Sequence, residues 1–419
     1  MHNGKFRALV GTALAVAALA LLKAAPFALA DREWALTVAP LPSPAGANSG
    51  EPRLSVEGDR AILSWIERAG SRATLKFAER TVSGWSDSRL VVSGNNFFVN
   101  FADVPSVRQL ADGTLVAHWL RENGPNPDAY DVRLSWSKDG GRIWSRPMSP
   151  HHDGTKTQHG FASLFQAPGA GLGVIWLDGR ATNPEADEGS PEAGNMGLRA
   201  AVYGPDGKQR TEMLVAPRVC ECCATAAAVT SEGPIVAFRN RSNEEVRDIY
   251  VSRFSDGRWS VPSPVHNDGW RITACPMNGP ALGARNRDVA VAWFTVQQDQ
   301  GRAFAAFSHD AGRTFGAPIR VDDAGSVGRV GIALLKDGSA AVSWIEFANE
   351  RSQFRVRRVE PSGVRSAAVT IAGIAGSTYP RIGQDRDELL FAWTETDKGA
   401  SRVRTARAPL AAAAPSQPR

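Results

Sequence analysis

Short apolar runs that end in an aromatic residue recur along the chain, each followed closely by a polar residue. Seven such runs are present: Leu63–Trp65, Ala117–Trp119, Val174–Trp176, Val236–Phe238, Val291–Trp293, Val342–Trp344 and Phe391–Trp393. Their aromatic residues lie roughly 50 to 60 residues apart, a period typical of repeats built from short strands. The pattern predicts an all-β fold, a single β-propeller of four-stranded blades with seven blades favoured.

Each repeat contains four predicted strands. In the second repeat the first three are Ser106–Leu110, Thr114–Leu120 and Asp131–Trp136, and the fourth follows a tight turn at 138–141. The last repeat has room for only three strands, whereas Trp34–Val38 has the composition of an additional early strand. We therefore expect this N-terminal strand to complete the last blade and close the ring, which removes exposed sheet edges.

The first 30 residues have the pattern of a secretory signal peptide. Lys5 and Arg7 precede an apolar run over Ala8–Leu22, and Ala28 to Ala30 supply small residues for cleavage. We expect the mature protein to be periplasmic or secreted, with no membrane span left after cleavage.

Composition supports a single domain after this segment. The chain has 40 glycines, 26 prolines and 12 tryptophans, and no long stretch after residue 30 has the apolar period of a helix. We assign 31–408 to the propeller and expect 409–419, rich in Pro and Ala, to be an unstructured tail. The formal net charge of +5 includes three basic residues of the signal peptide. The mature chain is therefore only weakly basic, which argues against a nucleic-acid partner.

One turn motif occurs twice in the repeats. Its two copies contain Ser137, Asp139, Gly141 and Trp144, and Ser308, Asp310, Gly312 and Phe315. The Ser and Asp oxygens can accept backbone N–H bonds, glycine tolerates the left-handed backbone, and the aromatic residue anchors the hairpin. We interpret these residues as structural, on the face of the propeller opposite the binding site.

Residues directly before each inner strand, and directly after each repeated aromatic residue, should meet at one mouth of the central channel. The candidate substrate-binding residues at these positions are Arg180, Arg239, Arg241, Arg329, Arg381, Asp178 and His159. Several arginines at one mouth favour an anionic ligand, because the planar guanidinium group binds a carboxylate through two hydrogen bonds. The alternative is that these arginines pair with Asp or Glu across the blades.

The turn motif and the repeat pattern together resemble the Asp boxes of the sialidase and BNR-repeat superfamily, over about residues 34–408. The resemblance implies a propeller, usually six-bladed in true sialidases, so six blades are the alternative to seven. It also implies that three arginines hold the substrate carboxylate, a tyrosine paired with a glutamate is the nucleophile, and an aspartate is the acid.

Transferred to this chain, the resemblance assigns Tyr379 as the nucleophile, Glu346 as its partner and Asp103 as the acid. The carboxylate would be held by Arg239 or Arg241 together with Arg329 and Arg381. The function hypothesis is a sialidase-like propeller that binds an anionic glycan, with or without hydrolysing it. The alternative is a non-catalytic periplasmic binding or scaffold protein with a cysteine-rich metal or redox site.

A His-x-Asp-Gly sequence also occurs twice, as 151–154 and 266–269. The two copies lie at equivalent repeat positions on the face of the mouth. The Asp-Gly pair is typical of a turn, and a contribution to the binding site is the alternative.

All four cysteines of the chain fall in two places. Cys220, Cys222 and Cys223 precede one predicted inner strand, and Cys275 precedes the inner strand of the next blade. They should therefore lie close together. An even number of cysteines in an exported protein favours disulfides. A site for Cu(I) or Zn²⁺, or a redox-active bridge, is the alternative.

Overall fold

The computed structural model describes residues 33–183, 185–186, 191–376 and 378–410. The predicted signal peptide and residues 411–419 of the predicted tail lie outside this range, whereas Pro409 ends the last strand. The described chain forms seven antiparallel sheets arranged as a β-propeller, so the predicted fold class and the favoured blade number are confirmed. Its only described helices are the short 3-10 turns Pro168–Ala170 and Pro191–Ala193.

The strands are numbered in chain order and grouped by blade. Blade 1 contains β2 (Ser49–Glu57), β3 (Arg60–Ala69), β4 (Arg72–Glu79) and β5 (Arg89–Gly94). Blade 2 contains β6 (Ser106–Gln109), β7 (Leu115–Glu122) and β8 (Tyr130–Ser137). Blade 3 contains β9 (His159–Ala167), β10 (Gly171–Asp178), β11 (Gly197–Tyr203) and β12 (Gln209–Ala216). Blade 4 contains β13 (Ala226–Thr230), β14 (Gly233–Arg239), β15 (Ile249–Ser255), β16 (Arg258–Trp259) and β17 (Ser263–Pro264).

The remaining strands complete the ring. Blade 5 contains β18 (Ala281–Arg285), β19 (Asp288–Gln297), β20 (Gln300–Ser308) and β21 (Ile319–Arg320). Blade 6 contains β22 (Gly325–Leu334), β23 (Ala340–Ala348), β24 (Arg351–Val359) and β25 (Val369–Ile374). Blade 7 contains β26 (Arg381–Asp385), β27 (Glu388–Asp397), β28 (Ala400–Pro409) and β1 (Ala39–Leu41). In blade 2 the fourth position is held by a single bridge from Met148 to Leu134 of β8.

Ring closure uses the N-terminal segment, as the sequence predicts. β1 pairs antiparallel with β28, with Ala39 opposite Arg407. The paired residues lie just after the predicted strand at 34–38. Trp34 and Val38 of that segment pack against the hydrophobic core shared by blades 6 and 7. The residues on the N-terminal side of β1 are thus held by apolar packing, and β1 itself is held by its hydrogen bonds to β28.

The repeated aromatic residues lie on the second strand of each blade and are buried between blades. Trp176 of β10, for example, belongs to a core cluster that includes Val116 of β7 and Leu134 of β8. Its side chain is fully buried. Burying an indole contributes roughly 2–3 kcal/mol or more of hydrophobic free energy. The regular spacing is therefore the signature of the interblade core.

The two copies of the Ser–Asp–Gly turn motif form the hydrogen bonds expected from their residue types. Ser308 Oγ accepts from Gly312 N at 2.9 Å, and Asp310 Oδ1 accepts from Thr314 N at 2.9 Å. In the first copy the corresponding acceptors are Ser137 and Asp139, which bind the amides of Gly141, Arg142 and Ile143. Trp144 packs edge-on against Phe77 of blade 1. Both turns follow the third strand of a blade, at the end opposite the mouth.

Among the described residues no helix is long and apolar enough to cross a membrane.

Candidate functional site

The central channel is a polar-rimmed cavity of about 600 Å³ lined by the inner strands of all seven blades. Arg53, Tyr379 and Arg381 lie among its lining residues. Arg53 is paired with the residue before the repeated tryptophan of blade 1, and Arg381 with the equivalent residue of blade 7. The two arginines therefore occupy the same level on adjacent blades, at the end of the channel that we call the mouth.

Arg381 and Tyr379 form the centre of this mouth. The Arg381 guanidinium carbon lies 4.4 Å from the Tyr379 ring centroid, and its Nε donates to the Pro52 carbonyl at 3.2 Å. Burial, together with the positive charge of Arg53, lowers the pKa of Arg381 to about 9. Arg381 is still charged at neutral pH, and its Nη2 has no hydrogen-bond partner. An anion at this point would relieve both the burial cost and the repulsion between the arginines.

Arg329 approaches the same tyrosine from blade 6. Its guanidinium carbon lies 4.5 Å from the Phe101 ring centroid, and its Nη1 donates to the Thr378 carbonyl at 2.7 Å. Burial lowers the pKa of Arg329, and interaction with Tyr379 partly offsets this. Its Nε has no hydrogen-bond partner. Within the described residues Arg53, Arg329 and Arg381 have no carboxylate in ion-pair contact, which distinguishes them from most arginines of this chain.

The predicted Tyr379–Glu346 pair is not formed. The Tyr379 hydroxyl is buried and donates to the Gly279 carbonyl at 3.3 Å, and burial raises its pKa. Glu346 instead accepts from the indole of Trp344 at 3.0 Å and from the amide of Asp323 at 2.8 Å. It also binds the Arg355 guanidinium. The reason is strand geometry. Residues i and i+2 lie on the same face of a strand, so the Glu346 carboxylate accepts a hydrogen bond from the indole of Trp344, and we call this contact an indole cap.

The same contact between an indole and a carboxylate occurs in other blades, and it shows that several acidic residues predicted to bind substrate at the mouth have a structural role. The indole-to-carboxylate pairs at i and i+2 are Trp65–Glu67, Trp176–Asp178 and Trp344–Glu346. Asp178 also accepts from Arg180 Nε at 2.6 Å, and Arg180 Nη2 donates to Glu212 at 2.7 Å. Asp178 and Arg180 thus neutralise each other. Their contacts agree with the alternative prediction, in which the arginines pair with acidic residues of the protein, better than with ligand binding.

Arg239 and Arg241 are also engaged within the protein. Arg239 is almost fully buried, and its guanidinium donates to the carbonyls of Asn278 at 2.8 Å and Phe294 at 2.7 Å. Arg241 forms ion pairs with Glu221 and Glu245. Neither is available to an external carboxylate. Arg53, which follows a register irregularity in β2, lies near Tyr379 and Arg381 instead.

Asp103, the predicted acid, is buried at the boundary of blades 2 and 3. Its Oδ2 accepts from Phe161 N at 2.7 Å and from the Tyr130 hydroxyl at 3.1 Å. Burial outweighs these two hydrogen bonds and raises the pKa of Asp103 to about 7. Close packing is possible because Gly160 has no side chain, since a Cβ there would lie 2.2 Å from Asp103 Oδ2. Asp103 can therefore hold a proton near neutral pH.

The cysteines converge as the repeat spacing indicates, and all four are free thiols in the structure. Cys220 Sγ lies 3.3 Å from Cys223 Sγ and 3.8 Å from Cys222 Sγ, and these three residues are buried. Hydrogen bonds with Cys220, Cys223 and the exposed Cys275 raise the pKa of Cys222. The predicted disulfides are not present, and the three buried thiols form a group that could hold a metal ion.

Arg247, which pairs with Glu221 and Glu245, contacts this cluster, and the cluster lies near Tyr379 of the arginine site. Arg247 is fully buried and its Nη1 lies 3.4 Å from Cys220 Sγ. Burial opposes ionisation of Cys220, but hydrogen bonds from the neighbouring thiols and the charge of Arg247 hold its pKa well below the ordinary value. Met277 packs on the cluster, and Cys223 interacts electrostatically with Tyr379. The thiols and the arginines therefore belong to one mouth.

His159 is the remaining candidate, and it is fully buried against His151, which begins the first copy of the His-x-Asp-Gly motif. The His151 and His159 rings are stacked, with centroids 3.8 Å apart. In the second copy of the motif His266 is half-exposed and binds Asp268, which accepts from the indole of Trp293. The two copies thus have different environments despite equal sequences at three of four positions.

No family model matches the chain, and no curated protein matches it significantly. Solved structures share its fold at low identity. Polysaccharide lyase Uly1 has a TM-score of 0.52 and 11% identity, over 86% of this chain and 90% of that chain. The phage phi92 endosialidase has a TM-score of 0.51 and 9% identity, over 90% and 70%. A mutant NanB sialidase from Streptococcus pneumoniae has a TM-score of 0.48 and 9% identity, over 84% of each chain. The chain is therefore a β-propeller similar in fold, at very low sequence identity, to an endosialidase and a polysaccharide lyase.

Proposed function

We propose that this protein binds a carboxylate-bearing saccharide at the mouth of its channel through Arg53, Arg329 and Arg381. The observation that carries the proposal is the presence of three partly buried arginines, around one tyrosine, that lack carboxylate partners among the described residues. Guanidinium groups prefer bidentate contact with a carboxylate, and a charge held away from water favours a counterion strongly.

The proposed activity is binding rather than hydrolysis by a tyrosine nucleophile. Tyr379 donates its only hydrogen bond to a backbone carbonyl, and Glu346 is used as a structural cap in blade 6. A tyrosine whose pKa is raised by burial, with no carboxylate base in contact, is poorly suited to nucleophilic attack. Its ring instead supports the Arg381 guanidinium. Two neighbours in fold, a polysaccharide lyase and an endosialidase, suggest a saccharide as the carrier of the carboxylate. The signal-peptide pattern suggests that binding takes place in the periplasm or outside the cell.

Calorimetric titration with N-acetylneuraminate and with glucuronate tests the proposal. Arg381→Gln removes the charge but keeps much of the side-chain volume, and loss of a charge-assisted contact of roughly 1.5–3 kcal/mol should weaken binding about 10- to 100-fold. Arg404→Gln is the matched control, because Arg404 is exposed on β28 of the same blade and is not among the residues that line the cavity. Equal losses in both variants, or no binding of either acid by the wild-type protein, would refute the proposal.

A second function is favoured by the cysteine cluster: we propose that the reduced protein binds a soft metal ion, Cu(I) or Zn²⁺, at Cys220, Cys222 and Cys223. Three buried sulfurs within contact, a nearby fourth at Cys275 and the adjacent Met277 form a sulfur-rich donor set. Thiolates and thioethers are the ligands that Cu(I) prefers. The charge of Arg247 favours the deprotonated thiol that such a site requires.

This second proposal is tested by competition of the reduced protein against a chromogenic Cu(I) chelator, and by elemental analysis for zinc. Cys220→Ser should abolish tight binding, whereas Cys275→Ser should weaken it less because Cys275 is exposed. Mass spectrometry of protein isolated without reductant supplies the opposing result. Two disulfides in that material, with no metal retained after reduction, would exclude the metal site in favour of a structural role.

A further inference from the structure

Two side-chain contacts span the channel at the mouth. The Tyr379 hydroxyl, from the segment before the inner strand of blade 7, donates to the carbonyl of Gly279, which precedes the inner strand of blade 5. The Arg329 guanidinium of blade 6 lies over the ring of Phe101, in the segment before blade 2. Neither contact joins adjacent blades, so each one spans part of the channel. The mouth end of the cavity is therefore covered by side chains.

The cavity instead opens to solvent at its other end, on the face that carries the two turn motifs. Lining residues at the mouth end, such as Tyr379 and Pro380, are buried. The exposed lining residues lie in or beside the turns that follow the inner strands, and they are Gly58, Asp59, Val229, Arg285, Lys336 and Arg386. We call this end the far opening. Because Arg53 and Arg381 lie at the covered end, a ligand reaches them through the far opening.

Positive charge predominates along the whole cavity. Only Glu57 and Asp59 of the lining are acidic, whereas its basic residues are Arg53, Arg108, Arg285, Lys336, Arg381 and Arg386. Arg108 pairs with Glu57, and the exposed Lys336 pairs with Asp387. Arg285 has no ion pair within the described part of the chain. A cleft lined by an excess of one charge concentrates ligands of the opposite charge, so the passage favours an anion over its full length.

The passage from the arginines to the far opening is longer than a single sugar. The strand β26 begins at Arg381 and covers about 13 Å to Asp385, at about 3.3 Å per residue. On blades 4 to 6 the lining is formed largely by small residues, among them Ala226, Ala228, Ala281, Gly283, Gly331 and Ala333. These small side chains leave the channel wide and present apolar surface to the C–H groups of a sugar ring.

We propose that the channel binds the acidic end of a linear oligosaccharide whose successive units carry carboxylates, and that the chain leaves through the far opening. This inference rests on the proposed carboxylate site, where Arg53 and Arg381 hold the terminal carboxylate. The carboxylates of the following units then lie near Arg285, Lys336 and Arg386. A monosaccharide would leave these outer cations and most of the cavity unused. Saccharide binding therefore occurs from the face opposite the covered mouth.

Calorimetric titration with two series of acids tests the length of the ligand: glucuronate with its linear dimer and trimer, and N-acetylneuraminate with its linear dimer and trimer. The trimer of the acid that binds should bind about 3- to 30-fold more tightly than its monomer, as expected for two or three partly exposed ion pairs. Arg285→Glu combined with Arg386→Glu should abolish this gain. The affinity for the monomer should change little, because the reversed charges lie farther from Arg381 than the Debye length of about 8–10 Å.

Matched positions near the mouth supply the controls. Arg121→Glu reverses an exposed charge at the mouth end of β7, outside the cavity lining, and should preserve both affinities. The route of entry is tested at two equally exposed valines, Val229 at the far opening and Val327 near the mouth. Val229→Trp narrows the far opening and should lower the association rate constant of the monomer in stopped-flow measurements, whereas Val327→Trp should not.

The outcomes separate this inference from the proposed function. Circular dichroism verifies that each variant folds. A trimer that binds no more tightly than its monomer overturns the inference alone, as does slower association in Val327→Trp but not in Val229→Trp. If the wild-type protein binds no acid of either series, the proposed function fails and this inference fails with it.

Discussion

The buried carboxyl group of Asp103 should make the stability of the protein depend on pH. This residue is 1% exposed, and burial raises its pKa from 3.8 to about 7. The native protein therefore keeps a proton that the unfolded chain releases, and the free energy of unfolding must fall as the pH rises from about 4 to about 7. A shift of about three pH units, at about 1.4 kcal/mol each, corresponds to roughly 4 kcal/mol.

Asp103→Asn removes this titration while keeping the shape of the side chain and an oxygen for Phe161 N and the Tyr130 hydroxyl. The pKa of Tyr130 is itself raised well above the ordinary range, so the tyrosine does not titrate in this window. We expect the stability difference between Asp103→Asn and wild type to move in favour of the variant by a few kcal/mol between pH 4 and pH 8. All other groups cancel in this difference.

Urea denaturation followed by tryptophan fluorescence, at intervals of half a pH unit, measures this difference. Asp139→Asn is a suitable control, because Asp139 is a surface turn residue whose pKa is lowered mainly by a hydrogen bond from the Ile143 amide. Its difference curve should be flat above pH 5. A flat curve for Asp103→Asn over the whole range would show that Asp103 is ionised in the native protein, and the reasoning from burial would be wrong.

Two further stability predictions use matched positions and the same denaturation assay. Gly312→Ala in the second turn motif should cost about 1–3 kcal/mol, because φ is +80° and the new Cβ would lie 2.2 Å from Ile235 Cδ1. Gly316→Ala, where the nearest atom is 3.8 Å away, should change stability by less than about 0.5 kcal/mol, and equal effects would contradict the clash. Glu346→Ala should cost about 3 kcal/mol, since it leaves a buried indole and a backbone amide without their acceptor and removes one of the two acid partners of Arg355. Glu395→Ala removes the exposed acid at the same position of blade 7 and should cost less than about 1 kcal/mol; a loss as large as that of Glu346→Ala would refute the role of the cap.

The sequence was most informative about features that repeat. The interval between aromatic residues identifies the second strand of each blade, because burial between blades requires a large apolar side chain there every time. Ring closure also follows, since a three-stranded last repeat leaves an edge to be covered. The convergence of Cys275 with Cys220–Cys223 depends only on equivalent places in adjacent blades.

The site depended on contacts that no repeat pattern encodes. Glu346 was assigned to catalysis because its position after a tryptophan lies near the mouth, yet strand geometry directs its carboxylate to the indole two residues earlier. Arg239 and Arg329 look alike in sequence, but backbone carbonyls satisfy Arg239 fully. That Arg53 lies near Tyr379 and Arg381 depends on contacts between blades that the repeat pattern does not encode. The Asp-Gly turns after His151 and His266 have the same sequence but different neighbours. His151 stacks on His159 of β9, whereas His266 contacts Asp268 of its own turn.

The proposed function requires that the unpaired arginines at the channel mouth select a carboxylate. The most direct measurement is the calorimetric affinity ratio between N-acetylneuraminate, or glucuronate, and its methyl ester, determined for wild type and for Arg381→Gln. We predict that wild type prefers the free acid by at least about tenfold, as expected for charge-assisted hydrogen bonds, and that Arg381→Gln loses most of this preference. Equal affinity of the wild-type protein for the acid and the ester would contradict the account.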